Sequence, residues 1–195
     1  MEILGLKKET IRTSINFMGC YAAIHALKLA DAFCKSDSNA NVVVVCTELC
    51  TLHFQKSISP DNMTSSLLFA DGCAAMLIQP GNSQHRGILI NGFYSEVSLQ
   101  GKKEMAWELS STGFLMTLTG YVPELIKENF KALTDKALRR AGKLQEDITH
   151  WCIHPGGKKI LDSIAESLQG NTGTLGFSYA VLKDYGNMSS PTILF

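Results

Sequence analysis

Apolar residues along the chain fall into short blocks whose spacing assigns elements one at a time. Residues 11–18 mix β-branched and aromatic residues with short polar ones, the signature of a strand. Gly19 and Cys20 interrupt it. From 21 to 35, Ala22, Ala23, Ala26, Leu27, Ala30 and Phe33 recur at helical spacing, with His25, Lys28, Asp31 and Lys35 between them. Residues 36–41 are polar and read as a loop. The unbroken apolar run 42–46 reads as a strand covered on both faces. Strand, helix and strand together predict a βαβ unit with a right-handed crossover. Residues 57–62, around Pro60, read as a loop, 64–69 as a short helix, Asp71-Gly72 as a turn and 73–78 as a strand.

Pro80-Gly81-Asn82-Ser83 breaks the pattern, which puts a boundary at about residues 80–86. Beyond it, 87–99 is a long strand candidate. Residues 119–140 are the clearest helix of the second half. Pro123 sits in its first turn, where a missing N–H costs nothing, and Gly142 stops it. Residues 150–154 read as a strand, 158–168 as a helix, and 176–185 as a helix ended by Gly186. Residues 187–195 carry helix-start signals in Ser189, Ser190 and Pro191 and read as two helical turns. The abrupt start and finish suggest a piece cut from a longer protein. Gly19-Cys20 and Gly186-Asn187 each open a helix, a faint echo of a duplicated architecture.

Composition narrows the class. The 195 residues carry 18 basic and 18 acidic side chains, and 45% are apolar, so the chain is globular rather than disordered. Zero net charge argues against a nucleic-acid surface and against a polybasic membrane anchor. No apolar stretch approaches the length of a bilayer span, and the first residues lack the layout of a signal peptide. The six cysteines form no Cys-x-x-Cys pair and no zinc-site spacing, so no metal is expected. Cys46, Cys73 and Cys152 read as core strand residues and Cys34 as a helix residue. A reduced, cytoplasmic protein follows.

Three blocks carry candidate chemistry: Met18-Gly19-Cys20-Tyr21-Ala22, His154-Pro155-Gly156-Gly157, and Tyr185-Gly186-Asn187-Met188-Ser189-Ser190. A cysteine at a helix start lies at the positive end of the helix dipole, which favours the thiolate. A histidine at a strand end, just before glycines, projects into the crevice at the strand's carboxyl end. An asparagine at a loop-to-helix start offers a fixed amide donor. Together they suit thioester condensation, in which a thiolate takes an acyl group and two donors stabilise the oxygen of a second thioester.

The order, spacing and wording of these blocks resemble the type III polyketide synthases, the chalcone and stilbene synthase family. Val42 to Glu48, Leu67 to Ala75, and Gly113 to Met116 followed by Tyr121-Val122-Pro123 resemble its intervening blocks. The resemblance implies an α/β fold of thiolase type, two similar halves layered αβαβα and here partial. Residues 1–80 would end the first half, with the nucleophile. Residues 81–195 would supply most of the second, with the histidine and asparagine. It implies decarboxylative Claisen condensation of malonyl-CoA onto an acyl group carried by Cys20. His154 would hold Cys20 as a thiolate in an ion pair, and with Asn187 would bind the malonyl carbonyl. CoA thioesters are substrates here, and no cofactor is implied; the expected assembly is a homodimer.

Phe69 would be a gatekeeper between CoA tunnel and cavity. Met116 stands where plant members keep a second gatekeeper phenylalanine, a departure from the pattern for flavonoid-type starters. Cys50 and His53 stand where plant members carry cavity-lining threonines, and Ser189 lies at a cavity-lining position. The family's N-terminal basic CoA contacts and C-terminal glycine-rich segment are missing, so the chain as given is expected to form a partial, inactive site. Trp107 and Trp151 read as packing residues. His25, His85 and His150 read as solvent or packing residues. Lys7, Lys8, Lys102 and Lys103 read as solvated surface or a basic rim for CoA phosphates.

Three rival readings stand beside this one. A ketoacyl-ACP synthase III or a ketoacyl-CoA synthase of fatty-acid elongation shares the Cys-His-Asn set, but the wording around His154 and Asn187 favours the polyketide branch over the carrier-protein branch. A non-catalytic half that only dimerises fits the missing ends. A papain-like hydrolase is disfavoured by the neighbours of Cys20.

Overall fold

A computed structural model describes residues 2–56, 58–81, 86–102, 104–111, 113–168 and 175–195. The expectations for His85, Lys103, Ser57 and the break at Asn82-Ser83 lie outside the described residues. The elements in order are α1 (Ala22–Ser36), β1 (Val42–Glu48), α2 (Pro60–Leu68), β2 (Gly72–Ile78), β3 (Met105–Ser110), β4 (Gly113–Leu118), α3 (Val122–Ala141), α4 (Lys158–Ser167) and α5 (Gly176–Tyr185). Short 3-10 turns cover Gly19–Tyr21, Cys50–His53 and Ser190–Leu194.

The helices follow their local signals. α1 buries Ala23, Ala30 and Cys34, small residues that let it lie close against β1. α2 begins earlier than its periodicity suggests. Ser59 accepts the Asn62 N–H, and Pro60 occupies the first turn, so the proline read as a loop marker is a helix start. α3 runs from Pro123 in its first turn to Gly142, and packs on α4. The last residues form a 3-10 turn rather than an α-helix, with Ser190, Pro191 and Thr192 buried.

The strands depart further from expectation. Residues 11–18, 87–99 and 150–154 form no strand and belong to no ladder among the described residues, so the βαβ unit does not form. A strand exists only where another strand takes its hydrogen bonds, and spacing along the chain does not reveal the partner. β1 instead pairs antiparallel with β2, Val44 opposite Met76 and Cys46 opposite Ala74. β1 is covered on one face only: Val44 and Cys46 are buried, whereas Val43 and Val45 are 62% and 60% exposed. Cys73 and Cys152 are exposed rather than core residues, and Cys152 lies outside any strand. The hairpin of β3 and β4, in which Trp107 opposes Met116, is an addition to the elements read from the sequence.

Two apolar clusters hold the molecule together. One joins Ala23 and Ala30 of α1 to Val44 and Cys46 of β1, with Ile193 and Leu194 packed against it. The other gathers Ile164, Ala165, Leu168 and Leu175, with Phe130, Trp151 and Ile153 alongside. Gly72 joins β2 to the chain after α5, because a Cβ there would stand 2.5 Å from Met188 Sδ and 2.8 Å from Met188 Cβ. Gly72→Ala is therefore expected to cost about 1–3 kcal/mol by overpacking, read as a lower denaturation midpoint. An unchanged midpoint would show that the contact relaxes freely.

Candidate active site

Cys20 sits in the 3-10 turn that leads into α1, at a helix start as its sequence setting suggests. Asn187 follows α5, which ends at Gly186 with φ of 74°, a left-handed conformation suited to glycine. The Asn187 backbone is fixed on both sides: its N–H donates to Leu68 O at 3.0 Å, and its carbonyl accepts from Ala70 N at 2.9 Å. This makes a parallel bridge to Phe69.

Asn187 is 2% exposed, and its carboxamide is bonded through both its oxygen and its nitrogen. Its Oδ1 accepts from the Ser189 N–H at 2.9 Å, the Thr192 hydroxyl at 3.4 Å and the Cys20 thiol at 3.9 Å. A backbone N–H only donates, so the Ser189 contact fixes which end of the amide faces it. Nδ2 therefore points the other way and donates to Gly156 O at 3.2 Å. One carboxamide thus ties the cysteine segment to the His154-Pro155-Gly156-Gly157 segment, across separations of 167 and 31 residues.

His154 lies beside Gly156, its ring Cδ2 3.7 Å from where a Gly156 Cβ would stand. Both ring nitrogens are buried and without a hydrogen-bond partner. Burial without a compensating charge pushes its pKa down to about 4, so the imidazole is neutral at pH 7. Burial likewise pushes the Cys20 thiol up, against the lowering effect of the Ser189 hydroxyl and Asn187, while the Glu48 carboxylate raises it further. No hydrogen bond joins His154 to Cys20 in this geometry: the thiol donates to Asn187, and burial disfavours the charged form of each group. Desolvation outweighs the helix-start effect expected for Cys20.

Cys20 opens on a cavity of about 590 Å³, within the range of small-molecule sites. Phe69, Met116, Cys50, His53 and Ser189 line it with Cys20; Asn187 touches two of these lining residues, Cys20 and Ser189, and His154 is not among the lining residues. Burial pushes the Cys50 thiol up to about 11, with Glu48, Asp71 and Cys20 adding to the rise. Two non-glycine residues with positive φ, Phe17 at 61° and Ser189 at 59°, also border the cavity; such strain concentrates at working sites.

Three lining residues escaped sequence reasoning. Trp107 and Phe114 come from the unforeseen hairpin. With His53 they form an aromatic wall, ring centroids 5.2 Å apart for His53 and Trp107 and 6.4 Å for Trp107 and Phe114. Trp107 is thus a wall residue rather than simple packing. Glu48 ends β1, and its Oε1 accepts from the Ser190 hydroxyl at 2.5 Å. Its signal was an acidic residue closing an apolar run. Glu48→Gln keeps the shape and removes the charge, so the Cys20 thiol is expected to ionise at lower pH. The check is the pH midpoint of Cys20 alkylation: a downward shift is expected, and an unmoved midpoint would show that the carboxylate has no influence.

Among the described residues, no group of three or more His, Cys, Asp or Glu could hold a metal ion, and no helix is long and apolar enough to cross a membrane.

Known proteins resemble this chain along its whole length. The family model for the chalcone and stilbene synthases, N-terminal domain, matches residues 1–82, and that for the C-terminal domain matches residues 94–195. PKS-I from the brown alga Ectocarpus siliculosus superposes with a TM-score of 0.91 at 27% identity, covering 99% of this chain and 52% of that one. The C-terminal type III polyketide synthase domain of Steely1, a type I/III hybrid from Dictyostelium, gives 0.85 at 33% identity, covering 100% and 55%. The 3,5-dihydroxyphenylacetyl-CoA synthase of Amycolatopsis balhimycina is 28% identical over 98% of this chain and 52% of its own length. The chain thus spans about half the length of these relatives, and it shares their thiolase-like α/β fold in part. Both domain models match in chain order and together cover most of the chain, so the chain belongs to the chalcone and stilbene synthase family, the type III polyketide synthases.

Proposed function

We propose that this chain carries the condensing site of a type III polyketide synthase. The reaction is a decarboxylative Claisen condensation of malonyl-CoA onto an acyl group borne by Cys20. The observation that carries this reading is the meeting of Cys20 Sγ and Asn187 Oδ1, 3.9 Å apart, at the wall of a cavity of about 590 Å³.

In the first step the Cys20 sulfur attacks the carbonyl of an acyl-CoA. His154 takes its proton, and the mutual attraction of the thiolate and imidazolium so formed offsets the burial that disfavours each charge alone. The C–S bond to Cys20 forms, the bond to CoA breaks, and the CoA thiolate leaves with that proton. In the second step malonyl-CoA loses CO₂. The electron pair left behind becomes an enolate, whose oxygen takes hydrogen bonds from His154 and from the Asn187 amide. The enolate carbon attacks the Cys20-bound acyl group, and the thioester bond breaks to return the Cys20 sulfur. Phe69 and Met116 would gate the passage for CoA thioesters, and Cys50, His53 and Ser189 would shape the space for the growing chain. We place the reaction in the cytoplasm, with no further cofactor and with a homodimer as the working assembly.

Incubation with malonyl-CoA and a panel of acyl-CoA starters tests the reading. An acyl adduct on the chain and products longer by two-carbon units are expected. Consumption of malonate only from a carrier protein would favour a ketoacyl synthase instead. A second reading, a folded half without activity, draws support from coverage of only 52–55% of the relatives' length. Acyl capture needs only the thiol, the cavity and the donors described here. Absence of any acyl label, with label on a full-length relative, would favour the inactive half.

A further inference from the structure

Part of the cavity wall is carried by the short turn Cys50–His53, whose His53 ring packs on Trp107 and Phe114. The other end of the turn is hydrogen-bonded to one carboxylate. Asp71 Oδ1 accepts from the Thr51 N–H at 2.8 Å, and Oδ2 accepts from the Thr51 hydroxyl at 2.7 Å. These bonds hold the Asp71 carboxyl below its usual range, Thr51's side chain contributing most, with the Cys50 N–H adding to them. Asp71 belongs to the same short strap as Leu68 and Ala70, whose backbone groups pair with Asn187. The strap also carries Phe69 into the cavity and ends at Gly72, against Met188. The strap 68–72 therefore bears both on Asn187, through Leu68 and Ala70, and on the Cys50–His53 turn, through Asp71.

We propose that Asp71 is a positioning residue for substrate selection: its carboxylate clamps the Cys50–His53 turn to the strap that aligns Asn187, so that the wall stays in register with the acyl-bearing thiol. The clamp acts on Cys50 and His53, leaving Cys20 to its own contacts with Asn187 and Ser189. Its meaning for substrate choice rests on the polyketide reading of the cavity; the clamp itself is testable without turnover.

The experiment is site-resolved alkylation of the native chain by iodoacetamide, read by peptide mass spectrometry. Asp71→Ala is expected to raise the rate at Cys50 by about fivefold or more, the scale of losing two or three hydrogen bonds to a charged acceptor. Thr51→Val keeps the Asp71 charge and removes one bond, and is expected to raise that rate by about threefold. Asp71→Asn, which can still accept from the Thr51 N–H, is expected to restore most of the protection. The Cys20 rate should stay unchanged throughout. Cys34 and Cys46, buried in the body, report general loosening. The proposal is overturned if Cys50 is unaffected by Asp71→Ala, or if Cys34 and Cys46 speed up in parallel. It is equally overturned if Thr51→Val is silent while Asp71→Asn matches Asp71→Ala, which would leave only a charge effect. These outcomes hold whether or not a polyketide is formed, so failure of the clamp and failure of the functional reading are separable.

Discussion

Cys20→Ala is expected to abolish covalent acyl labelling and to lower any condensation by at least about 10³-fold, because Cys20 is the cavity thiol in contact with Asn187. The alternative carrier is Cys50, which lines the same cavity. Its thiol is pushed up to about 11, so it is almost wholly protonated at neutral pH. Cys20 is also raised by burial, but the Ser189 hydroxyl and Asn187 oppose the rise. Cys50 has no comparable side-chain help. Acyl label surviving at full level in Cys20→Ala would move the nucleophile elsewhere. The alanine also removes only the weak 3.9 Å contact from Asn187, whose Oδ1 keeps Ser189 and Thr192, so the fold is expected to tolerate it.

His154→Ala is expected to cut decarboxylation of malonyl-CoA by about 10²–10³-fold, the range for loss of one donor to a developing oxyanion. The two ring nitrogens of His154 are buried and without a hydrogen-bond partner. A buried polar group without a partner is costly, and such cost is tolerated where a ligand supplies the partner. The pKa near 4 sets the pH behaviour. An imidazole is neutral above its pKa, so protonation of His154 in the acyl-free chain occurs only as pH falls through about 4. Between pH 5 and 8 the rate of acyl capture should therefore follow the Cys20 thiol, rising with pH because burial holds that thiol up. Measured CO₂ release that is unchanged in His154→Ala would take the residue out of the mechanism.

How much of this was legible follows from what each signal depends on. α1, α3, α4 and α5 were readable because a helix closes its own hydrogen bonds, so spacing of Ala23, Ala30 or Leu161 and the stops at Gly142 and Gly186 suffice. Strands need partners. Residues 11–18 and 87–99 have strand-like composition yet find no ladder among the described residues, whereas Met105 to Leu118, with mixed exposure, pairs into a hairpin. Val42–Glu48 was recognised as a strand, but its open face, with Val43 and Val45 uncovered, depends on what packs there.

The site divides in the same way. Cys20, His154 and Asn187 lie in short blocks whose chemistry and order could be read directly, as could Phe69, Met116, Cys50, His53 and Ser189 once the resemblance was seen. The protonation of Cys20 and His154 could not, since burial is a tertiary property. Nor could Trp107, which depends on the unforeseen hairpin, or Glu48 and Asp71. Those two carboxylates act through Ser190 and Thr51, residues 142 and 20 positions away.

The most direct test of the central claim is a short pulse of acyl-CoA followed by peptide mapping of the adduct by mass spectrometry. The account predicts the acyl mass on the peptide bearing Cys20 and on no other. Label on Cys50, or spread among the six cysteines in proportion to exposure, would contradict it.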